Sequence, residues 1–235
     1  MTKGSSLLSK AYSHPFNQQL HKGTLPGDTF KFYLEQDALY LREFSKALML
    51  LSKRLPDRRH ALQFRLLSNY IVEAELNLHL RYLRGATPFT FFSGQRPPIK
   101  KIPIISHYTD HLFYTIKNAP IEVSVASCVP CFWMYNNIGK EMAALSSEKN
   151  PYRNWIASYS SDRFTFATTL IVETASELTG SVTSVMLQEQ ITTSFLNSLR
   201  FELQFFNAAI AYQNNHENLN EHAFHAYAKI KKYSV

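Results

Sequence analysis

Cysteine and glycine are both scarce in this chain, at 2 and 7 of 235 residues. Two cysteines cannot build a disulfide framework, and a four-ligand zinc site would lack its second cysteine pair. So few glycines argue against a many-turned β architecture and suit long helices. No stretch approaches the roughly 20 consecutive apolar residues that a membrane span needs. The start of the chain, Met1-Thr2-Lys3-Gly4-Ser5-Ser6-Leu7-Leu8, has no apolar run of signal-peptide length. Internal repeats, clear strand alternation and a glycine-rich phosphate loop are all missing. Clustered basic charge is missing too. The net charge is +7, but the cations are dispersed as Lys53-Arg54, Arg58-Arg59, Arg81 with Arg84, Lys100-Lys101 and Lys229 with Lys231-Lys232. That spread reads as solvated helix faces and loop ends rather than a nucleic-acid surface. The expectation is a soluble, cytoplasmic protein that contacts neither membrane nor nucleic acid.

Apolar residues at helical spacing run through the rest. The pattern predicts an all-α chain, a single helical bundle. A first helix from Ser6 to His21 meets Pro15 as a kink or break and stops at Gly23. The next opens at Thr24-Leu25-Pro26 and ends near Leu55, before Pro56. A third spans Arg58 to Leu83, followed by a proline-containing connector from Ala86 to Pro103. Helix signals resume near Ser106. Pro120 opens another helix running to about Met142, in which Gly139 is a weak point and Pro130 should bend the backbone before Cys131. A short helix carries Trp155 and Tyr159, Ser160-Ser161 caps the next, and Thr179-Gly180-Ser181 ends it. The last long helix leads past Tyr212 into a polar tail.

Three inward faces carry groups that a core seam does not normally hold. Asp37 interrupts the seam Phe30, Leu34, Leu41, Phe44, and Glu202 interrupts Phe195, Ser198, Phe205, Ala209. A lone carboxylate there costs several kcal/mol, an order-of-magnitude figure, unless it is paired or hydrogen-bonded. Cys128 and Cys131 admit three readings: two packed thiols, a redox pair, or a nucleophile at Cys131. The redox reading wants a βαβ context that is not visible here. Glu75 and His79 are i, i+4 neighbours, yet a di-iron bundle needs Glu-x-x-His on two helices, and no such spacing occurs. A thiol, two buried carboxylates and tyrosines from several segments describe a pocket for a flat, nitrogen-rich molecule. Spacing alone does not bring them together.

Gly23-Thr24-Leu25-Pro26, Phe30 and Gln36-Asp37-x-x-Tyr40-Leu41 resemble the N-terminal signature of the TenA (thiaminase II) family. Tyr108-Thr109-x-His111, Pro130-Cys131-x-Trp133-x-Tyr135, Tyr152-x-x-Trp155-Ile156-x-x-Tyr159 and Glu202-x-Gln204-Phe205 resemble its later motifs. The resemblance covers roughly Ala11 to Tyr212. It implies a heme-oxygenase-like all-α fold without heme or other cofactor or metal, assembled as a homotetramer. It implies a catalytic domain over residues 1–213 with a C-terminal extension at 214–235. The implied activity is hydrolysis of 4-amino-5-aminomethyl-2-methylpyrimidine to the hydroxymethyl pyrimidine and ammonia, with thiamin as a further substrate in some members. By position, Cys131 would be the nucleophile and Glu202 the acid. Asp37 would hold the exocyclic amine, and Tyr40, Tyr108, Tyr135, Tyr159 and Phe205 would line and stack on the pocket. Cys131 places the chain in the cysteine branch.

Some features depart from the family pattern: the aromatic-then-basic connector at 86–103, Phe206 where a tryptophan is common, and a longer tail. Two rivals follow. One is a regulatory or pyrimidine-binding protein without turnover. The other is a metal-dependent oxidase using Glu73, Glu75, His79 and Asp110.

Overall fold

The computed structural model describes the backbone at residues 3–82 and 99–232, and side chains at residues 4–73 and 99–215. Every regular element within them is a helix, as the apolar spacing predicts. In chain order these are α1 (Lys3–Tyr12), α2 (Pro15–Lys22), α3 (Gly27–Ser52), α4 (Arg58–Tyr82) and α5 (Pro103–Asn118). They continue as α6 (Ile121–Leu145), α7 (Arg153–Ser160), α8 (Asp162–Gly180) and α9 (Val185–Lys232). The connector lies mostly outside the described residues. So do the side chains of Glu75 and His79, and of the tail from residue 216 on. The proposed boundary at 213/214 falls inside α9.

Local chemistry explains the ends. At Pro15 the first predicted helix breaks outright rather than kinking: His14 Nδ1 accepts the Phe16 N–H at 3.2 Å as an N-cap, and Pro15 takes the first helical position. Gly23 ends α2 at φ 72°, in the left-handed region that only glycine adopts without strain. α3 stops at Ser52, a turn earlier than the Pro56 signal alone would place it. Ser161 Oγ accepts from Phe164 N at 3.2 Å and caps α8, as the sequence suggests. α9 continues through the polar stretch after Tyr212 without a break.

α6 is the axis of the bundle. Of its 25 residues, 16 are buried, and they fall on all sides of the helix, as expected of a core helix surrounded by neighbours. α9, α8, α7 and α5 pack around it, while α3 pairs with α4 and reaches the centre beside α5 and α9. The helix runs continuously through Pro130.

Arg54 departs from the reading of the basic pairs as solvated. Its guanidinium donates to the carbonyls of Ile116 and Ala119, the latter at 2.8 Å, and to Ser124 Oγ at 3.1 Å. It therefore caps the carbonyl end of α5 and ties it to the start of α6. Sequence spacing could not show this, because the partners lie more than sixty residues away.

Candidate active site

Helical periodicity places the unusual residues on common faces. On α3, Tyr33, Asp37 and Tyr40 follow each other at i, i+4 and i+7; on α6, Cys131 and Tyr135 are four apart. α7 presents Trp155 and Tyr159 in the same way, and α9 presents Glu202, Phe205 and Phe206. All eight residues singled out from the sequence are buried: Asp37, Tyr40, Tyr108, Cys131, Tyr135, Tyr159, Glu202 and Phe205.

Glu202 lies at the middle of the group. Tyr108 Oη donates to its Oε1 at 2.8 Å, and Tyr135 hydrogen-bonds to it as well. Burial pushes its carboxyl up to about 8, and the nearby Asp37 carboxylate pushes the same way. The two tyrosine hydroxyls oppose that rise by stabilising the charged form. At neutral pH the Glu202 carboxyl is thus largely protonated and able to give a proton.

The tyrosines form two tiers around this carboxyl. Tyr40 stacks on Tyr108 with ring centroids 4.7 Å apart, and Tyr108 stacks on Phe201 at 5.1 Å. Burial, then the nearby Cys131 thiol, raises the Tyr40 phenol well above its usual range; burial and Glu202 do the same to Tyr108, with Cys131 contributing less. Cys131 is therefore the electrostatic neighbour of the Tyr40–Tyr108 pair. Tyr135 packs on Tyr159 at 5.0 Å and is raised by burial, with smaller contributions from Tyr33, Glu202 and Asp37. Phe205 joins through Tyr33, on which it stacks at 4.8 Å.

Cys128 lies outside this group, its sulfur 3.8 Å from Ser127 Oγ. It is fully buried, and burial pushes its thiol up to about 12, which leaves no thiolate at neutral pH. It behaves as a packed thiol.

Several further residues, to which the sequence assigned no role, bear on the site. Gln36, next to Asp37, donates to Lys100 O and accepts from Ile102 N, both at 3.0 Å, and so holds the backbone leading into α5 and Tyr108. Asn136 Nδ2 donates to Tyr159 O and to Thr165 Oγ1, both at 3.0 Å, and fixes α7 against α6. Tyr33 lies one helical turn before Asp37, and Phe206 one turn after Glu202. Those offsets were the available signal.

No group of three potential metal ligands comes together among the described residues. Glu73 is exposed and faces Arg163 at 3.4 Å. A separate apolar groove of about 590 Å³, lined by Ala126, Val129, Trp133, Val172, Ala175 and Phe195 among others, contains none of the eight residues and no ionisable side chain. Among the described residues, no helix is long and apolar enough to cross a membrane.

Known proteins resemble this chain in sequence and fold. It is 26% identical over 199 residues to the aminopyrimidine aminohydrolase of Bacillus subtilis, covering 85% of this chain and 83% of that protein. It is 32% identical over 158 residues to the thiamine biosynthesis multifunctional protein ThiED of Corynebacterium efficiens, covering 67% of this chain. The chain spans 21% of that relative's length and 24% of its Corynebacterium glutamicum counterpart's. The solved TenA homologue from P. horikoshii OT3 superposes with a TM-score of 0.73 at 25% identity, covering 87% of this chain and 93% of that one. Residues 4–212 match the TENA/THI-4/PQQC family. A match over that much of the sequence, together with the shared fold, means that the chain belongs to the TENA/THI-4/PQQC family.

Proposed function

We propose that this protein is a thiamin-salvage hydrolase that converts 4-amino-5-aminomethyl-2-methylpyrimidine to the hydroxymethyl pyrimidine and ammonia. The observation that supports it best is the buried Glu202 carboxyl, held by Tyr108 at 2.8 Å with Asp37 and Tyr135 beside it. The aminopyrimidine aminohydrolase named among the relatives supports the same substrate class.

In this reading each group has one task. Glu202 gives its proton to a ring nitrogen, and the Cys131 sulfur bonds to the adjacent ring carbon. The exocyclic 4-amino nitrogen then pushes its electron pair toward the side chain, and the side-chain amine, having taken up the thiol's proton, departs as ammonia. Asp37 accepts hydrogen bonds from the 4-amino group and steadies the positive charge left there. Water adds to the exposed methylene, and the proton it loses is taken up by the Cys131 sulfur as that sulfur leaves the ring. Finally the carbon–sulfur bond breaks, the ring regains its aromatic electrons, and the ring-nitrogen proton returns to Glu202. Tyr40, Tyr108, Tyr135, Tyr159 and Phe205 supply a flat aromatic enclosure. Thiamin itself offers the same methylene with a different leaving group, and the proposal extends to it. It also extends to the cysteine branch and to a homotetramer, for which the exposed Phe166, Val185 and Met186 provide apolar surface.

The test is release of ammonia and the alcohol from the aminomethyl pyrimidine. Cys131→Ser and Glu202→Gln should each lower kcat by about 100-fold or more while leaving the fold intact. Undiminished turnover in either variant removes that residue's role. Pyrimidine binding with no turnover in the wild type replaces the hydrolase reading with the binding-protein one.

A further inference from the structure

The outer tier of tyrosines is not symmetrical. Tyr40, behind Tyr108, offers a hydroxyl with no hydrogen-bond partner of good geometry. Tyr33, behind Tyr135, donates its hydroxyl to Tyr135 Oη at 2.9 Å. Tyr33 is fully buried, and its ring is held by Phe16 at 4.7 Å, Phe205 at 4.8 Å and Trp155 at 6.4 Å. Its packing therefore aims the hydroxyl. By filling an acceptor site on Tyr135, it leaves the Tyr135 proton to serve Glu202. Hydrogen bonds in such a chain polarise one another, so a Tyr135 that accepts is also a stronger donor.

We propose that Tyr33 is a positioning residue which, through Tyr135, sets how readily the Glu202 carboxyl holds and returns a proton. The proposal rests on the hydrolase reading of the site and adds a residue that never meets the substrate. The titratable groups that face Glu202 from other helices are Asp37 and Tyr40 on α3, Tyr108 on α5 and Tyr135 on α6, with Cys131 beside the Tyr40–Tyr108 pair. His14, the N-cap of α2, is bonded to Asn207 at 3.0 Å instead. Among the described residues, Tyr33 bonds the inner tyrosine at 2.9 Å, whereas the Tyr40 hydroxyl makes only a weaker contact with Tyr108.

The experiment titrates Glu202 directly, by infrared difference spectra of protein labelled with 13C at glutamate carboxyls. The band is assigned by its loss in Glu202→Gln. Tyr33→Phe should move the midpoint upward by roughly half a unit, a change of about threefold in the acid-to-base ratio at fixed pH. Tyr135→Phe should also raise it, and adding Tyr33→Phe to that variant should change nothing more. A 3-fluorotyrosine at position 33, equal in packing and a better donor, should lower the midpoint and tests the idea without losing the hydroxyl. An unmoved midpoint in Tyr33→Phe, or an equal displacement when Tyr135→Phe is already present, overturns the proposal. None of these readings needs turnover, so they stand even if the aminomethyl pyrimidine is not hydrolysed. If it is, the alkaline limb of kcat/KM should follow the same displacement.

Discussion

A carboxyl group with 2% of its surface exposed, between two tyrosines and near a second carboxylate, works against the charge it would carry in water. The consequence for stability has a definite sign. The folded protein keeps the Glu202 proton up to about 8, whereas the unfolded chain releases it near 4.5. Between those values the native state binds more protons, so stability falls as pH rises, by up to about 1.4 kcal/mol per unit. Below that window the group contributes nothing to the slope. Half-buried His14 and His111, whose protonated forms desolvation disfavours, act in the opposite direction at acidic pH. Urea unfolding of wild type and Glu202→Gln across pH 5 to about 9 separates the two effects. The difference between the proteins should grow steadily in favour of the glutamine variant as pH increases. A pH-independent difference would mean that Glu202 ionises as freely in the fold as outside it.

At the scale of elements, the α6–α7 contact determines where Tyr159 stands. Gly139 lies inside α6, two turns before its end, and a Cβ there would come within 2.7 Å of the Tyr159 backbone carbon and Cβ, and 2.9 Å of Ser160 N. The sequence marks this glycine as a weak point in a helix, because glycine costs about 1 kcal/mol relative to alanine there. The packing reverses that reading: the absent side chain is what lets α7 approach. Gly139→Ala should therefore destabilise the protein by roughly 1–3 kcal/mol despite the better helix propensity. Chemical denaturation measures it, and an equal or higher stability would show that α7 can shift at no cost. Arg54 acts at the same scale, holding the α5–α6 corner through carbonyls that would otherwise end a helix without partners.

For the whole molecule, charge and assembly are the open quantities. A net charge of +7 whose cations are dispersed along the sequence predicts weak, sequence-indifferent attraction to nucleic acid. The exposed apolar residues on α8 and at the start of α9 are the surface that the proposed homotetramer would cover. If the proposed homotetramer forms, sedimentation equilibrium should give four times the 27.1 kDa of one chain. A single-chain mass across the micromolar range would remove the tetramer from the proposal and leave the site untouched.

Local rules were enough to make the helices legible. Pro15, Gly23, Ser161 and the 3.6-residue apolar period act within a few residues, so the sequence by itself determined the all-α class and most helix ends. It also determined which residues were out of place on an inward face: Asp37, Cys131 and Glu202. Their convergence was decided only by the tertiary structure. Tyr108 meets Glu202 across 94 residues, and Tyr33 meets Tyr135 across 102. The clamp of Arg54, the need for glycine at 139 and the difference between Cys128 and Cys131 arise in the same way. Each depends on how separately specified helices are placed against one another. Burial and hydrogen-bond geometry exist only after that packing, and no periodicity within one helix encodes them.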